Sequence, residues 1–269
     1  MLNQYLKKGW QAYKRNWTSF IGVSILMFLV IMSAFLIMFF PILSKLASSI
    51  TQIQSEEDLA MFIQSEIIST SMLMELIPYL VVGFLLIIII GTAFNLGIIK
   101  MSQEALKGKT TWRTILKTPL SKIITAISAH IIVLIMALLA VAVLIAAFAV
   151  NIILGAIAYI AFIIFIIHFS LVEHAIMLDD FKAISSIKKS FNIIRGNFWL
   201  FFKIILANMI ISILLSLLDG IFPIFSLLQM FVVTPVFLII YTMYYLDNRK
   251  IKKTKRKYSK IKKKRKRKR

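Results

Sequence analysis

Long apolar stretches separated by short polar ones dominate the chain from residue 18 to residue 246. Six of them, each at least 21 residues long, lie at 18–43, 77–100, 123–150, 152–178, 198–218 and 222–246. A helix needs about 20 apolar residues to cross the hydrocarbon of a bilayer. An open strand cannot satisfy its backbone polar groups in lipid, whereas a helix can. We therefore predict an all-α polytopic membrane protein with about six transmembrane helices in three hairpins.

Lysine and arginine are distributed very unevenly across this predicted topology. Of the 32 in the chain, 31 fall in segments on one side of the membrane, and Lys45 falls on the other. Cytoplasmic loops carry the excess of Lys and Arg in membrane proteins, and Trp favours the headgroup level. All four tryptophans, Trp10, Trp17, Trp112 and Trp199, lie at the predicted cytoplasmic borders. We therefore predict a multi-pass protein of the cell membrane with both termini in the cytoplasm.

Composition divides the chain into three parts. Residues 1–17 are typical of a basic juxtamembrane helix, residues 18–246 of a six-span membrane domain, and residues 247–269 of a polybasic cytoplasmic tail. Sixteen of the last 21 residues are Lys or Arg and none is acidic, so charge repulsion is expected to keep this tail disordered. The absence of cysteine excludes structural disulfides and thiol catalysis.

A weak internal repeat marks the segments that enter the first and fifth spans. Lys7-Lys8-Gly9-Trp10 aligns with Lys188-Lys189-Ser190-Phe191, and the match continues to Asn16 over Asn197. A looser version lies at residues 112–117, before span three. The pattern predicts that a basic, amphipathic, cytoplasmic juxtamembrane helix precedes each hairpin. The alternative is that any segment entering a membrane from the cytoplasm needs basic and aromatic anchors.

Polar side chains inside the predicted spans form a candidate intramembrane site, because such residues are costly in lipid and often functional. They are Asn95, His130, His168, Glu173, Lys203 and Asn208. If they converge, they could bind a cation or relay protons, with Lys203 paired to Glu173. The alternative is that Lys203 snorkels toward the headgroups while the Asn and His side chains form hydrogen bonds between helices.

Catalytic motifs are absent from the sequence. There is no glycine-rich dinucleotide motif, no P-loop and no H-E-x-x-H zinc motif. Ser185 and Lys188 match the S-x-x-K pattern, but the other motifs of that enzyme class are missing. We therefore expect neither an enzyme nor a cofactor.

Anionic lipid is the partner that the basic segments predict, since each Lys or Arg near an anionic leaflet contributes about 1 kcal/mol before screening. Candidate contacts are Lys188, Lys189, Arg195, Lys252, Lys253 and Arg256. Partner proteins or a second copy of the chain are further candidates. Nucleic acid is not expected as a partner, because a tail anchored at the membrane meets lipid first.

Short motifs in the chain resemble those of an uncharacterised family of archaeal and bacterial six-helix membrane proteins, filed as a domain of unknown function. The motifs are residues 9–17, residues 188–191 with 195–199, and the stretch from Gly97 to Lys109. The family is similar to the membrane domain that precedes some glycerophosphoryl diester phosphodiesterases. The resemblance implies a six-helix fold over about residues 1–246, but no catalytic residue, because it does not extend to a phosphodiesterase barrel.

Two functions follow from these features. The first is a non-enzymatic membrane protein that engages anionic lipid, and partner proteins, through a basic cytoplasmic face. The second is a transporter of ions or small solutes that uses the polar residues in the inner half of the bundle. Transport requires a water-filled path lined by Asn95, His130, His168 and Asn208. The first function predicts instead that these groups are bonded within a dry bundle.

Overall fold

The computed structural model describes residues 1–50, 70–220, 222 and 224–249, and no strand occurs in these ranges. The α-helices are α1 (Leu2–Ile50), α2 (Thr70–Lys107), α3 (Leu120–Val150), α4 (Ile152–Ile167), α5 (Val172–Asp179), α6 (Ala183–Gly196), α7 (Phe198–Asp219) and α8 (Ile224–Leu228). A 3-10 helix covers Trp112–Lys117, and a π-helix at Gln229–Val233 leads into a last helix, α9, over residues 234–249.

Within the described ranges, six helical stretches are long and apolar enough to cross a membrane, which confirms the predicted all-α polytopic fold. They are Leu2–Phe40, Ile77–Lys107, Leu120–Val150, Ile152–Asp179, Phe198–Asp219 and Ile224–Arg249, here called spans one to six. One boundary differs from prediction, since the last helix continues to Arg249, three residues beyond the predicted end of span six at residue 246. The first helix begins at Leu2 and is kinked at Asn16, close to the predicted border between the juxtamembrane helix and span one.

The described residues belong to two compact units. One unit, Ile25–Thr92, contains parts of α1 and α2. Within it, an added Cβ at Gly83 would lie 2.5 Å from the sulfur of Met38, so the small residue permits close helix contact. The other unit combines residues 1–24 with the chain from Ala93 onward, and every contact described below lies within this second unit.

The internal repeat has a structural counterpart. Asn16 has non-helical backbone angles (φ −125°, ψ 17°) that kink α1, and the aligned Asn197 (φ −154°, ψ 53°) separates α6 from α7. The residues around these breaks also share their burial. The aligned buried pairs are Ala12 with Ile193, Tyr13 with Ile194, Phe20 with Phe201, and Val23 with Ile204. A common structure, and not only a shared need for membrane anchors, therefore underlies the repeat.

Three juxtamembrane segments lie at residues 2–15, 112–117 and 183–196. The first forms the start of span one before the kink at Asn16, and the other two precede spans three and five. The first and third are α-helical as predicted, whereas the second is a short 3-10 helix. Contacts with even-numbered spans join Gly9 to Ile240 of span six, Ile115 to Gly97 of span two, and Ser190 to the carbonyl of His168 in span four.

The third juxtamembrane segment repairs a break in span four. Turns at residues 168–171 separate α4 from α5, so some backbone groups there lack their helical partners. Ser190 Oγ donates a hydrogen bond to the carbonyl of His168 (2.6 Å) and accepts one from the N–H of Leu171 (3.2 Å). Inside a membrane no water replaces these partners, so one serine satisfies both sides of the break.

The first juxtamembrane segment plays the same part in span six. Pro235 has no N–H, so it cannot bond the carbonyl four residues earlier, that of Phe231. The hydroxyl of Tyr13 donates to that carbonyl at 2.9 Å. Thr234 Oγ1 donates to the carbonyl of Gln229 (3.0 Å) across the π-helical turn. A π-helical turn thus precedes Pro235. The carbonyl that the proline leaves without a partner is bonded by Tyr13.

Two glycines of α2 provide a matched test of this packing. A Cβ at Gly97 would lie 3.0 Å from the backbone Cα of Ile115, whereas one at Gly91 would meet no atom within 4 Å. We expect Gly97→Ala to lower the free energy of unfolding by about 1–3 kcal/mol, as overpacking does. Gly91→Ala should be neutral or stabilising, because Ala favours a helix by up to about 1 kcal/mol. Thermal unfolding in detergent measures both; equal melting temperatures would contradict the close contact.

Candidate functional site

Three of the six predicted polar residues meet in one cluster, here called the polar triad. Asn95 comes from span two, His130 from span three and Glu173 from α5 of span four. A side-chain hydrogen bond joins the Asn95 amide to the Glu173 carboxylate, and His130 Nε2 lies 3.3 Å from Glu173 Oε1. Three separate spans thus converge on one carboxylate.

The triad is only partly enclosed by the protein. The side chain of Glu173 is 16% exposed and that of His130 is 44% exposed. Glu173 Oε1 itself is buried but accepts no hydrogen bond from the described residues, so its contact with His130 has the distance of an ion pair without hydrogen-bond geometry. The carboxylate therefore keeps an unused acceptor next to an imidazole.

The break in span four explains why Glu173 lies where it does. Glu173 occupies the first turn of α5, where the unpaired N–H groups and the helix dipole favour a carboxylate. On the same short helix, Val172 and Ile176 pack with residues of spans two and three. Ala175 instead packs with residues of spans five and six. The helix restart thus directs Glu173 toward Asn95 and His130.

The other three predicted residues lie elsewhere. The Nδ1 of His168 is 2.7 Å from the carbonyl of Ile164, and its ring packs at a tilt against the ring of Phe191, with centroids 4.4 Å apart. Asn208 donates a hydrogen bond to the hydroxyl of Tyr241 (3.2 Å). Lys203 is exposed. The side chains of His168 and Asn208 are thus each bonded to a neighbouring group outside the polar triad.

The pairing of Glu173 with Lys203, one of the two alternatives that the sequence left open, does not form in the structure. The sequence predicted a single uninterrupted helix over residues 152–178. Because span four restarts after residues 168–171, the face that Glu173 occupies cannot be extrapolated from α4. Within the described ranges, no acidic side chain pairs with Lys203.

A second polar network lies at the ends of spans four and six, and the sequence did not indicate it. Asp179 accepts a hydrogen bond from the hydroxyl of Tyr245 (2.7 Å) and forms an ion pair with Arg249. The neighbouring Asp180 pairs with Lys122 at 2.5 Å. Arg249 was counted with the disordered tail. The i, i+4 spacing of Tyr245 and Arg249 is a signal that could have placed both on one helix face.

The predicted lipid contacts divide into two groups. Lys188 and Arg195 are exposed on α6, and Lys189 is partly buried with its ammonium over the ring of Phe181 at 5.6 Å. The remaining predicted contacts lie outside the described residues. They are Lys252, Lys253 and Arg256.

Comparisons with known proteins do not identify the chain. No family model, curated protein or solved structure matches the chain. The function therefore has to be inferred from the chemistry and placement of the side chains themselves.

A double-mutant cycle tests the polar triad. We expect Glu173→Gln and His130→Gln to be non-additive in the free energy of unfolding by about 1 kcal/mol, because contacting residues couple. Lys203→Gln is the matched control, since it should be additive with Glu173→Gln. Thermal or denaturant unfolding in detergent measures the cycle. Coupling of Glu173 to Lys203 and not to His130 would contradict the structure.

Proposed function

We propose that this protein is a non-enzymatic integral membrane protein whose juxtamembrane segments form a basic cytoplasmic surface that engages anionic lipid and, at the same surface, partner proteins. One observation carries the proposal: each segment buries one face in the protein and leaves cations exposed on another, with exposed tryptophans beside the spans and exposed apolar side chains at Leu116, Ile184 and Phe191. The resemblance to an uncharacterised membrane-domain family implies a six-helix fold and supplies neither a role nor a mechanism.

The third juxtamembrane segment illustrates the arrangement. Its inner face is buried through Ile187, Ile193 and Ile194, while Lys188 and Arg195 are exposed. The other two segments also bury apolar side chains, Ala12 and Tyr13 in the first and Ile115 in the second. Their exposed cations include Lys7, Lys8, Lys14, Arg113 and Lys117. Because these side chains stand on folded helices, their spacing is set before lipid arrives, which lowers the ordering cost of binding.

Exposed tryptophans accompany these cations. Trp17 is 52% exposed and Trp199 is 71% exposed, although each is adjacent to a buried helix face. Arg113 also lies over the ring of Trp112, 5.7 Å from its centroid. An aromatic ring with one polar edge is favoured at the headgroup level. An anionic leaflet attracts cations, and its headgroup level favours aromatic rings. Both kinds of side chain stand here at the same ends of the spans.

The hydrogen bonds of the predicted polar set favour this function over transport. Transport would need the polar groups to line a common path. In the structure His168 and Asn208 are bonded to groups in their own surroundings, and only the polar triad brings residues of the set together. A bundle in which such groups are bonded individually is the arrangement expected of an interaction protein.

The proposed orientation is tested by thiol labelling, which is clean because the chain has no cysteine. Ser185, exposed in α6, and Gly220, exposed after α7, lie at opposite ends of spans. A Cβ at Gly220 would be 3.5 Å from its nearest neighbour, so cysteine fits there. We expect an impermeant thiol reagent to label Gly220→Cys in intact cells and Ser185→Cys only after permeabilisation. The reverse pattern would overturn the orientation.

Recruitment of anionic vesicles tests the lipid interaction. Full-length protein in neutral nanodiscs should recruit anionic vesicles, and recruitment should fall as salt shortens the screening length to about 10 Å at 0.1 M. Truncation after Arg249 keeps the ion pair with Asp179, removes 15 basic residues and should weaken recruitment sharply. The double change Lys188→Gln and Arg195→Gln should weaken it further.

Lys45→Gln is the matched charge control for these variants, because it removes a cation predicted to lie on the opposite side. It should leave recruitment unchanged. Recruitment that is insensitive both to salt and to truncation would overturn the proposal.

A further inference from the structure

A cavity of about 460 Å³ lies within the second unit, where the first juxtamembrane segment meets the start of span five and the end of span six. Its lining includes Gln4, Tyr5, Lys8, Leu200, Asp247 and Asn248. This volume is within the range of about 300–1,000 Å³ typical of small-molecule sites. The cavity is thus large enough for a polar headgroup.

Among the side chains that line the cavity are the ammonium of Lys8 and the carboxylate of Asp247. Lys8 is exposed, and no acidic side chain in the described ranges pairs with it. Tyr5 donates its hydroxyl to Asp247 Oδ2 at 3.0 Å, which leaves Oδ1 available as an acceptor. A ligand that satisfies both groups carries an anionic oxygen at one point and an N–H or O–H donor at another.

The cavity wall is held rigidly and is partly apolar. Asn248 is buried, and its Nδ2 donates to the carbonyl of Tyr244 (2.9 Å). Leu200 forms an apolar part of the wall in the first turn of α7. The preceding residue, Trp199, is the strongly exposed tryptophan of this border. The cavity therefore lies at the depth where Trp meets lipid phosphates.

We propose that this cavity binds a single phospholipid whose headgroup carries a hydroxyl or an amine beyond its phosphate. The phosphate binds the ammonium of Lys8, and the hydroxyl or amine donates to the free oxygen of Asp247. The proposal rests on the proposed lipid function, but differs from it: the basic surface recruits anionic lipid without fixed stoichiometry, whereas this cavity selects one molecule by its headgroup.

Native mass spectrometry of the full-length protein, purified in detergent and depleted of lipid, tests the site. Short-chain phosphatidylglycerol and phosphatidylethanolamine should each bind once per chain. Both should bind more tightly than phosphatidylcholine, whose headgroup has no hydrogen-bond donor. Lys8→Gln should weaken this binding about tenfold, the usual value of a hydrogen bond to a charged group. Lys14→Gln, the same charge change on the same helix outside the cavity lining, should leave the binding unchanged.

Two further variants separate headgroup recognition from charge. Asp247→Leu removes both acceptor oxygens, so it should abolish the preference over phosphatidylcholine while the phosphate contact remains. Gln4→Trp should fill the cavity and abolish binding without changing any charge, whereas Gln11→Trp, at an exposed position of the same helix, should not. Thermal unfolding checks that each variant is folded.

The outcomes distinguish this site from the basic surface. Equal binding by Lys8→Gln and Lys14→Gln, or equal binding of phosphatidylcholine by the unaltered protein, would overturn the cavity while leaving salt-sensitive vesicle recruitment intact. Binding of inorganic phosphate as tightly as lipid would also overturn it, because the ligand would then be the free ion. Loss of vesicle recruitment with headgroup-selective binding retained would instead count against the basic surface alone.

Discussion

Backbone hydrogen bonding in a medium without water is the constraint on which the rest of this structure depends. Spans four and six are both irregular, the former at residues 168–171 and the latter at a π-helix before Pro235. An unpaired carbonyl or N–H in hydrocarbon costs several kcal/mol. Ser190 and Tyr13 provide the missing partners from the juxtamembrane segments. These segments are therefore parts of the folded domain and not only anchors at its border.

The same arrangement links the fold to the proposed function. A juxtamembrane segment that must satisfy a neighbouring span cannot move freely, so the cations and tryptophans on its outer face have fixed positions. The loop after α2 is also bonded to the first helix, at Asn16. Asn16 accepts a hydrogen bond from the N–H of Thr110 (2.9 Å) and donates to the carbonyl of Gly108 (3.1 Å). A rigid basic surface follows from the needs of the helices beneath it.

The sequence predicted the number and type of spans because length and hydropathy determine which helices fit a bilayer. The repeat was one of two interpretations that the sequence left open, and the helix breaks at the aligned Asn16 and Asn197 favour it. The partner of Glu173 was not predictable, because it depends on how a broken helix restarts. Arg249 was misplaced for a different reason: its pairing with Asp179 is a contact over 70 residues, and local charge density alone suggested a solvated tail.

The orientation, the polybasic tail and the lipid contacts remain predictions of the sequence, since they concern the surroundings of the protein and not its internal contacts. The polar triad was predicted only in part. Residue type identified all three members, but only the tertiary structure selected them from the six candidates. Asn208 and His168 have the same chemistry and lie in spans too, yet each is satisfied by a neighbour.

The contact between Tyr13 and span six has a consequence for synthesis. Its two partners are separated by 218 residues, and ribosomes add about 5–20 residues per second. The first juxtamembrane segment is therefore made roughly 10–40 s before its partner. During that interval its buried face has no span six to cover it, and the domain can close only when the final hairpin has inserted. Completion of the fold is thus coupled to completion of the membrane domain.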